Sequence, residues 1–177
     1  MIGLELLGNK VRLRPLGDSD VDDFYKWWND PEFSGEYAGF EPISRDDVQE
    51  IVGNEEWFMI ISRLEDRKVG FISYYPVRRD YLNLFEIGYR TMPSERRKGY
   101  TTEAARLLVD YLFSSKKEIE RIESVTDVEN VPSQRVLEKN GFKREAELRK
   151  RFFNKGEYRN EYMYSLLREE WHKRSNQ

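Results

Sequence analysis

The sequence contains no cysteine and a single histidine, His172, in 177 residues. Disulfide bonds, cysteine nucleophiles and thiolate zinc sites are therefore excluded. A Ser-His-Asp triad would have to use His172, which lies close to the last residue, where a catalytic base is hard to position. We therefore expect His172 to be an ordinary surface residue.

Glycine spacing excludes two further kinds of site. No two of the 11 glycines have the G-x-G or G-x-x-x-x-G-K-[ST] spacing, so dinucleotide-binding fingerprints and P-loops are absent. Chemistry in this chain must depend on carboxylates, hydroxyls, cations and backbone groups, and we expect no metal site.

Long apolar runs are also missing. The longest, WFMII at residues 57–61, is far shorter than the roughly 20 residues that a membrane-spanning helix needs. The opening residues MIGLELLGNK lack a basic segment and include Glu5, which is not typical of a secretory signal. We expect no membrane partner and a cytoplasmic location.

The composition indicates one folded domain. Hydrophobic residues make up 38% and aromatic residues 14% of the chain, enough for a packed core. A length of 177 residues suits one domain better than two. Because the sequence shows neither repeats nor linkers, residues 1–177 are predicted to form a single domain.

Apolar periodicity places strands and helices along this domain. β-Like runs cover residues 10–16, 57–64, 68–77, 81–92, 121–128, 142–153 and 157–167. The turn-like segments EDRK and RRD separate the second run from the third and the third from the fourth. Helical patterns cover residues 18–30, 44–51, 100–114 and 130–141, the last with Asn130 as its N-cap. The pattern predicts a mixed α/β fold.

Negative charge is concentrated in one segment. Residues 18–56 contain 13 acidic and two basic residues, a net charge of −11, whereas the whole chain carries −3. These residues are either solvated acidic helices, whose first turns suit carboxylates, or a negative surface that attracts a cationic substrate. Aromatic residues in the same segment could line a pocket or belong to the core; they are Trp27, Trp28, Phe33, Tyr37 and Phe40.

Positive charge collects directly before the predicted helix 100–114. Arg96, Arg97, Lys98 and Gly99 precede a helix N-terminus, which already offers unpaired N–H groups and a partial positive charge. Such a turn suits a pyrophosphate. The alternative is a solvated run of charges with no ligand.

Residues 86–104, EIGYRTMPSERRKGYTTEA, resemble the GNAT superfamily of acetyl-CoA-dependent N-acetyltransferases. The signature of that family is a strand, then [QR]-x-x-G-x-[GA], then a helix, and its loop cradles the coenzyme A pyrophosphate. Arg96, Gly99 and Thr101 occupy the matching positions, with threonine in place of the usual glycine or alanine.

Further segments match in the same order. WWNDPEF, NVPSQRVLEKNGFKREAELR and FFNKGEYRNEYMYSLLREEW resemble segments of the subgroup that includes ribosomal-protein N-terminal acetyltransferases and spermidine acetyltransferases. The resemblance covers nearly the whole chain. It implies an α/β (α+β) fold, a single GNAT-like domain with a mixed, mostly antiparallel central sheet of about six or seven strands flanked by helices.

The resemblance also implies acetyl-CoA as cosubstrate and a set of residues that bind it. The backbone of residues 90–92 resembles the edge that binds the pantetheine amides and polarises the thioester carbonyl. The implied coenzyme-binding residues are Arg90, Thr91, Met92, Arg96, Arg97, Lys98, Gly99, Tyr100, Thr101, Asn130 and Ser133.

Glu86 is the candidate general base. It lies ten residues before Arg96, the spacing at which many members of the superfamily carry a strand glutamate with that role. It shares a strand face with Leu84 and Gly88, and burial would raise its pKa as a base requires. The alternatives are a structural glutamate, or deprotonation of the amine through water.

Ser133 is the candidate acid for the departing thiolate. Many related enzymes use a tyrosine four residues before the glycine of a G-F pair, and here that position is Leu137. The ribosomal-type subgroup instead offers the serine of N-x-x-S, which is Ser133. A serine near a helix start is equally explained as a cap.

The leading hypothesis is an N-acetyltransferase that acts on a cationic primary amine, either a protein N-terminus or a polyamine. We expect Trp28, Glu32, Glu36 and Tyr37 of the acidic segment to contact this acceptor. The alternative is a catalytically weak coenzyme A-binding sensor or scaffold. Nucleic acid is not a predicted partner, because basic residues are interspersed with glutamates. The aromatic last strand either pairs across a homodimer or closes the sheet of one chain.

Overall fold

One mixed sheet organises the chain. The computed structural model describes residues 4–77 and 83–175, so the predicted RRD turn and the first two residues of run 81–92 lie outside the described residues. Within them the strand order is β1-β2-β3-β4-β5-β6-β8-β7. The strands are β1 Leu6–Leu7, β2 Val11–Pro15, β3 Trp57–Ser62, β4 Arg67–Pro76, β5 Leu84–Thr91, β6 Arg121–Asp127, β7 Lys143–Asn154 and β8 Glu157–Leu167.

Helices cover both faces of this sheet. They are α1 Val21–Trp28, α2 Pro31–Ser34, α3 Arg45–Val52, α4 Tyr100–Ser115, α5 Val131–Lys139 and α6 Arg168–Ser175, with single 3₁₀ turns at Asp18–Asp20 and Pro93–Glu95. None of the helices in the described ranges is long and apolar enough to pass through a bilayer.

The predicted mixed and mostly antiparallel sheet is confirmed, with eight strands instead of six or seven. The additional strand, β1, has two residues, too few for a periodic signal. Helices α2 and α6 were not predicted either. Helix α2 is one turn capped by Asp30, which accepts a hydrogen bond from Glu32 N at 2.9 Å. Helix α6 is almost entirely polar, with Trp171 as its one large apolar side chain.

Strand alternation divides the apolar side chains between two cores. On β3, Phe58 and Ile60 point into the main core beneath α4 and α5, whereas Met59 and Ile61 point into a second core beneath α1 and α3. The main core also contains Leu108 of α4. The second core is built largely from rings; they include Phe24, Trp27, Phe33 and Phe71.

The sheet opens between β5 and β6. These strands are parallel and pair only from Leu84↔Arg121 to Glu86↔Glu123. Beyond Glu86, β5 continues to pair with β4 and β6 continues to pair with β8, so the two halves of the sheet separate. We call the space between these halves the wedge: residues 87–91 of β5 form one wall, and residues 124–127 of β6 together with the start of α5 form the other. One hydrogen bond, from Ser124 Oγ to Ile87 O at 3.0 Å, crosses its narrow end.

The last strand closes the sheet of its own chain. Strand β8 lies between β6 and β7 and pairs with both, so it has no free edge for a second copy. This is the second of the two arrangements that the sequence left open. A homodimer by another surface remains a prediction.

A buried ion pair fastens the first helices to the sheet. Asp20 is fully buried and accepts hydrogen bonds from Arg14 at 2.6 and 2.9 Å and from Gly17 N at 2.9 Å. Lys68 Nζ of β4 lies 2.8 Å from the same carboxylate. Burial raises the pKa of Asp20, but Arg14, Lys68 and Gly17 N outweigh it and lower the pKa to about 2.

We expect Asp20→Asn to lower the free energy of unfolding by about 2 kcal/mol at neutral pH, because the partly buried Arg14 loses its counter-ion and Lys68 keeps only its pair with Asp23. The folded-state pKa is depressed, so this contribution is present above pH ~4 and is lost as the pH falls toward ~2. Urea unfolding of the parent and the variant at several pH values across this range measures the contribution.

Asp22→Asn is the matched control, because Asp22 is 81% exposed and its ion pair, at 2.7 Å, is with Arg45, which is itself 61% exposed. It should change stability by less than about 0.5 kcal/mol at every pH. If the difference in free energy of unfolding between the parent and Asp20→Asn did not shrink as the pH falls, the stabilising role assigned to the ionised Asp20 carboxylate would be contradicted.

Candidate active site

The β5 wall of the wedge is held by contacts on its far side. The Arg90 guanidinium donates to Ser34 Oγ at 2.9 Å and lies 4.8 Å from the ring of Trp28. Its side chain therefore faces the first helices, and only its backbone borders the wedge. Met92 N donates to Val69 O at 2.9 Å and Met92 O accepts from Glu95 N at 2.9 Å, so both backbone groups of Met92 are already bonded within the protein, and its contact with a coenzyme stays a prediction.

The cationic turn lies at the mouth of the wedge, but most of its charge is already paired. Arg96 donates to the carbonyl oxygens of Thr91, Glu32 and Phe33 at 3.2–3.3 Å. Lys98 Nζ donates to Glu95 at 3.0 Å. Arg97 is exposed and has no side-chain partner within residues 4–77 and 83–175. Arg97 is therefore the cation of the turn that is available to an anion.

The backbone of this turn is arranged around the N-terminus of α4. Arg97 and Gly99 have φ angles of 66° and 83°, and the left-handed value at Gly99 strongly favours glycine. Gly99 caps α4, a helix of 16 residues, so the first N–H groups of the helix have no carbonyl partner within it. The turn and the helix start together form a site for an anion.

A lysine from the other end of the sequence reaches the same turn. The Glu103 carboxylate accepts three backbone N–H bonds from residues 9–11, at 3.0, 2.6 and 2.8 Å. This holds the β1–β2 turn against α4. Lys10 Nζ donates to Lys98 O at 3.1 Å and lies 3.1 Å from where a Cβ on Gly99 would be. Apart from its charge, Lys10 carries no local sequence signal that places it at this turn.

The two residues that follow Gly99 turn their side chains away from the anion site. Thr101 Oγ1 lies 2.6 Å from Thr91 Oγ1, so the threonine that departs from the family pattern hydrogen-bonds to the end of β5. Tyr100 packs against the main core, with its hydroxyl 3.4 Å from Ser62 Oγ. Their backbone amides are the groups left to face a ligand.

The opposite wall of the wedge is the start of α5. Asn130 caps this helix as predicted, accepting a hydrogen bond from Ser133 N at 3.3 Å. Ser133 Oγ lies 3.0 Å from the hydroxyl of Tyr89 on β5. Leu137, one turn further on, is fully buried in the main core. Sequence reasoning missed Tyr89, which lies 44 residues before Ser133 and on a different element.

The other face of the open sheet is acidic. Glu86 is half-buried there and pairs across strands with Tyr75, which hydrogen-bonds its carboxylate. Burial raises the pKa of Glu86, the negative charge of Glu123 adds to this, and Tyr75 and Arg151 partly offset it. Burial and the proximity of Glu86 likewise raise the pKa of Glu161, although Arg151 acts in the opposite direction.

The four residues predicted to contact an acceptor are in different places. Trp28 is on the apolar face of α1 and packs against the second core, where its ring stacks on those of Phe24 and Phe71. The side chain of Glu32 is exposed on α2. Glu36 follows α2, and its carbonyl accepts a hydrogen bond from Asn154 of β7 at 3.2 Å.

Tyr37 is the predicted acceptor residue that approaches the end of β6. Burial and the charges of Glu36, Glu129 and Asp127 raise its pKa. Asp127 is itself paired with Arg159, at 2.8 Å. Tyr37 therefore lies beside the acidic face, at the side of the wedge where β6 ends.

The carboxylates of the acidic face are bonded to neighbouring side chains. Among the described residues there is no group of three or more histidine, aspartate and glutamate side chains placed to hold an ion. The carboxylates near Glu86 are instead hydrogen-bonded or paired with arginine: Tyr75 contacts Glu86, and Arg121 contacts Glu123 at 2.6 Å. The site can bind an anion on one face and a cation on the other.

Comparison with known proteins identifies the family. Residues 10–143 match the family model described as an acetyltransferase (GNAT) domain. The chain is 31% identical over 176 residues to the uncharacterized N-acetyltransferase p20 of Bacillus licheniformis, covering 94% of this chain and 97% of the relative.

Two solved structures have the same fold. The ribosomal-protein-S5-alanine acetyltransferase of Vibrio fischeri superposes with a TM-score of 0.82 at 18% identity, covering 95% and 98% of the two chains. The spermidine N-acetyltransferase of Vibrio cholerae, in complex with coenzyme A and spermine, has a TM-score of 0.80 at 20% identity, covering 93% and 99%. Together with the family match, these findings show that the chain belongs to the GNAT family of N-acetyltransferases.

Proposed function

We propose that the protein transfers the acetyl group of acetyl-CoA directly to a cationic primary amine, as a single domain over residues 1–177. The observation that carries the proposal is the wedge, which has an anion site on one face of the sheet and a half-buried carboxylate, Glu86, on the other. A coenzyme on the first face and an amine on the second would meet through the opening. A cytoplasmic location remains part of the proposal.

The residues around the wedge fit coenzyme A. The free amides of α4 from Gly99 onward would hold its pyrophosphate, with Arg97 as the available cation. The backbone of Arg90 and Thr91 and the start of α5 at Asn130 would border its pantetheine arm. When bound, acetyl-CoA supplies an acetyl group activated as a thioester.

Glu86 prepares the amine. An ammonium ion cannot attack a carbonyl carbon, so one proton must leave before the carbon–nitrogen bond forms. Burial raises the pKa of Glu86, which makes its carboxylate a stronger base than an exposed glutamate. The negative face around Glu86 also attracts the ammonium form that arrives from solvent.

Ser133 lies on the coenzyme side of the opening. Its hydroxyl would donate to the sulfur that leaves, because charge develops there as the carbon–sulfur bond breaks. Leu137 cannot supply a hydroxyl, since it is an aliphatic side chain in the main core. Ser133 is therefore the residue of α5 to which we assign this role.

The acceptor is an amine with positive charge, which the acidic face favours. The V. cholerae fold neighbour contains spermine, and the V. fischeri neighbour is named for ribosomal protein S5. A polyamine and a protein N-terminus are accordingly the two acceptor classes to compare.

The test is acetyl-CoA-dependent release of free thiol with spermidine and with peptides that differ in their first residue. We expect turnover with at least one amine. Because the chain contains no cysteine, the free thiol that is detected comes from the coenzyme. Stabilisation by acetyl-CoA without turnover on any amine would instead favour the alternative, a coenzyme A-binding sensor or scaffold.

We expect Gly99→Ala to weaken coenzyme A binding by about tenfold or more. An alanine at φ 83° is strained, and its Cβ would lie 3.1 Å from Lys10 Nζ, so either the turn at the start of α4 or the Lys10 ammonium group beside it must shift. Calorimetric titration with coenzyme A measures the dissociation constant.

Gly156→Ala is the matched control for this substitution. Gly156 has φ 87° in the β7–β8 turn, with nothing within 4 Å of its added Cβ. It should lose similar folding stability, about 1 kcal/mol, without weaker binding. Equal dissociation constants for the two variants would remove the α4 turn from the coenzyme site.

We expect Glu86→Gln to abolish the acid limb of the kcat/KM profile against pH. In the parent, kcat/KM rises as Glu86 loses its proton, at a pH above the ordinary glutamate range because its pKa is raised. Glu161→Gln, in the same acidic cluster, should retain the limb. A limb that survives in Glu86→Gln would assign deprotonation to water.

A further inference from the structure

Tyr89 joins the two walls of the wedge. It projects from β5 toward the main core on the α4 and α5 side, beyond the point where β5 and β6 stop pairing. Its hydroxyl lies 3.0 Å from Ser133 Oγ and 3.4 Å from Ser133 O. No other side-chain partner of Ser133 Oγ occurs in the described part of the chain.

The two hydroxyls can share their protons in two ways. If Ser133 donates to Tyr89, the tyrosine proton is left with Ser133 O at 3.4 Å, a long and weak contact. If Tyr89 donates to Ser133 Oγ at 3.0 Å, the serine proton is free. Both arrangements use the 3.0 Å contact and differ in the remaining proton: the first places it on the weak 3.4 Å contact, whereas the second leaves a donor in the wedge without a protein acceptor.

Tyr89 also remains a donor. Burial raises its pKa, although the bond to Ser133 acts in the opposite direction, so the phenol keeps its proton at neutral pH. A neutral phenol can hold Ser133 Oγ without adding charge to the wedge.

We propose that Tyr89 is a positioning residue: it donates to Ser133 Oγ and so leaves the Ser133 proton free to bind the sulfur that leaves during acetyl transfer. This inference rests on the proposed function. As the carbon–nitrogen bond forms, the carbon–sulfur bond breaks and the sulfur keeps the electron pair. The amine proton goes to Glu86 or water, and the thiolate, held by the Ser133 hydroxyl, later takes a proton from solvent.

Tyr89→Phe removes only the hydroxyl. We expect kcat to fall about threefold to tenfold, the equivalent of one hydrogen bond, with the KM for acetyl-CoA unchanged. Because Tyr89 acts through Ser133, Tyr89→Phe combined with Ser133→Ala should be no slower than Ser133→Ala alone. Multiplicative losses in the double variant would overturn the proposal.

Tyr164→Phe is the matched control. Tyr164 is a tyrosine of the same core, and its hydroxyl bonds to Glu138 of α5 at 3.2 Å, one turn and more beyond Ser133. We expect no change in kcat beyond about twofold. Equal losses in Tyr89→Phe and Tyr164→Phe would mean that both act by loosening α5, and would overturn the proposal.

A second readout needs no acceptor amine. The pKa of the bound thiol is read from the ultraviolet absorbance of the thiolate in a complex with coenzyme A. Because the chain lacks cysteine, this thiolate signal comes from the coenzyme. The Tyr164→Phe complex, which also has one tyrosine fewer, serves as the reference for absorbance from tyrosine ionisation. A donor at the sulfur stabilises the thiolate. The pKa of the bound thiol should therefore be higher in Tyr89→Phe than in the parent, by about half to one pH unit, and equally in Ser133→Ala.

Identical thiol titrations in the parent and Tyr89→Phe would overturn the role of Tyr89. If the parent acetylates no amine, the proposed function fails. The thiol titration still tests whether Tyr89 orients Ser133 to donate to the coenzyme sulfur.

Discussion

The short parallel pairing of β5 with β6 is the constraint on which the rest of the structure depends. Three residue pairs hold the strands together up to Glu86 and Glu123. Each strand then follows its antiparallel neighbour, β4 or β8. The resulting wedge leaves backbone groups of β5 without a strand partner, and it connects the two faces of the sheet beside Glu86.

Electrostatics divides the two faces around this opening. On one side the N-terminus of α4 meets Arg97 and Lys10, and the Glu103 carboxylate fixes Lys10 by binding three amides of the β1–β2 turn. On the other side burial raises the pKa values of Glu86 and Glu161; the negative charge of Glu123 adds to the shift of Glu86, and that of Glu86 adds to the shift of Glu161. These charges would attract the anionic coenzyme and the proposed cationic acceptor to opposite faces of the sheet.

Local sequence patterns predicted the features that depend on neighbouring residues. Asn130 was expected to cap α5, and it does. The turn before α4 was expected from the charge of residues 96–98 and from Gly99, and the structure places these residues directly before the helix, with Gly99 in a left-handed conformation. The mixed sheet followed from the alternation of apolar residues and from the resemblance to the family.

Contacts between distant residues could not be predicted in this way. Arg96 was expected to face an anion, but its guanidinium binds carbonyls of α2, an element too short to give a periodic signal. Trp28 packs against the second core, which helical spacing alone does not reveal, and its contact with an acceptor stays a prediction. The contact of Tyr89 with Ser133 depends on how β5 and α5 pack, which no local pattern encodes.

Hydrogen–deuterium exchange with and without coenzyme A tests most directly whether the wedge is the site of acetyl transfer. We expect slower exchange at the start of α4, along the second half of β5 and at the start of α5, since these segments border the wedge. The acidic face, with the strands of the β7–β8 hairpin, should be unchanged until an amine is added. Protection confined to other segments would contradict the account.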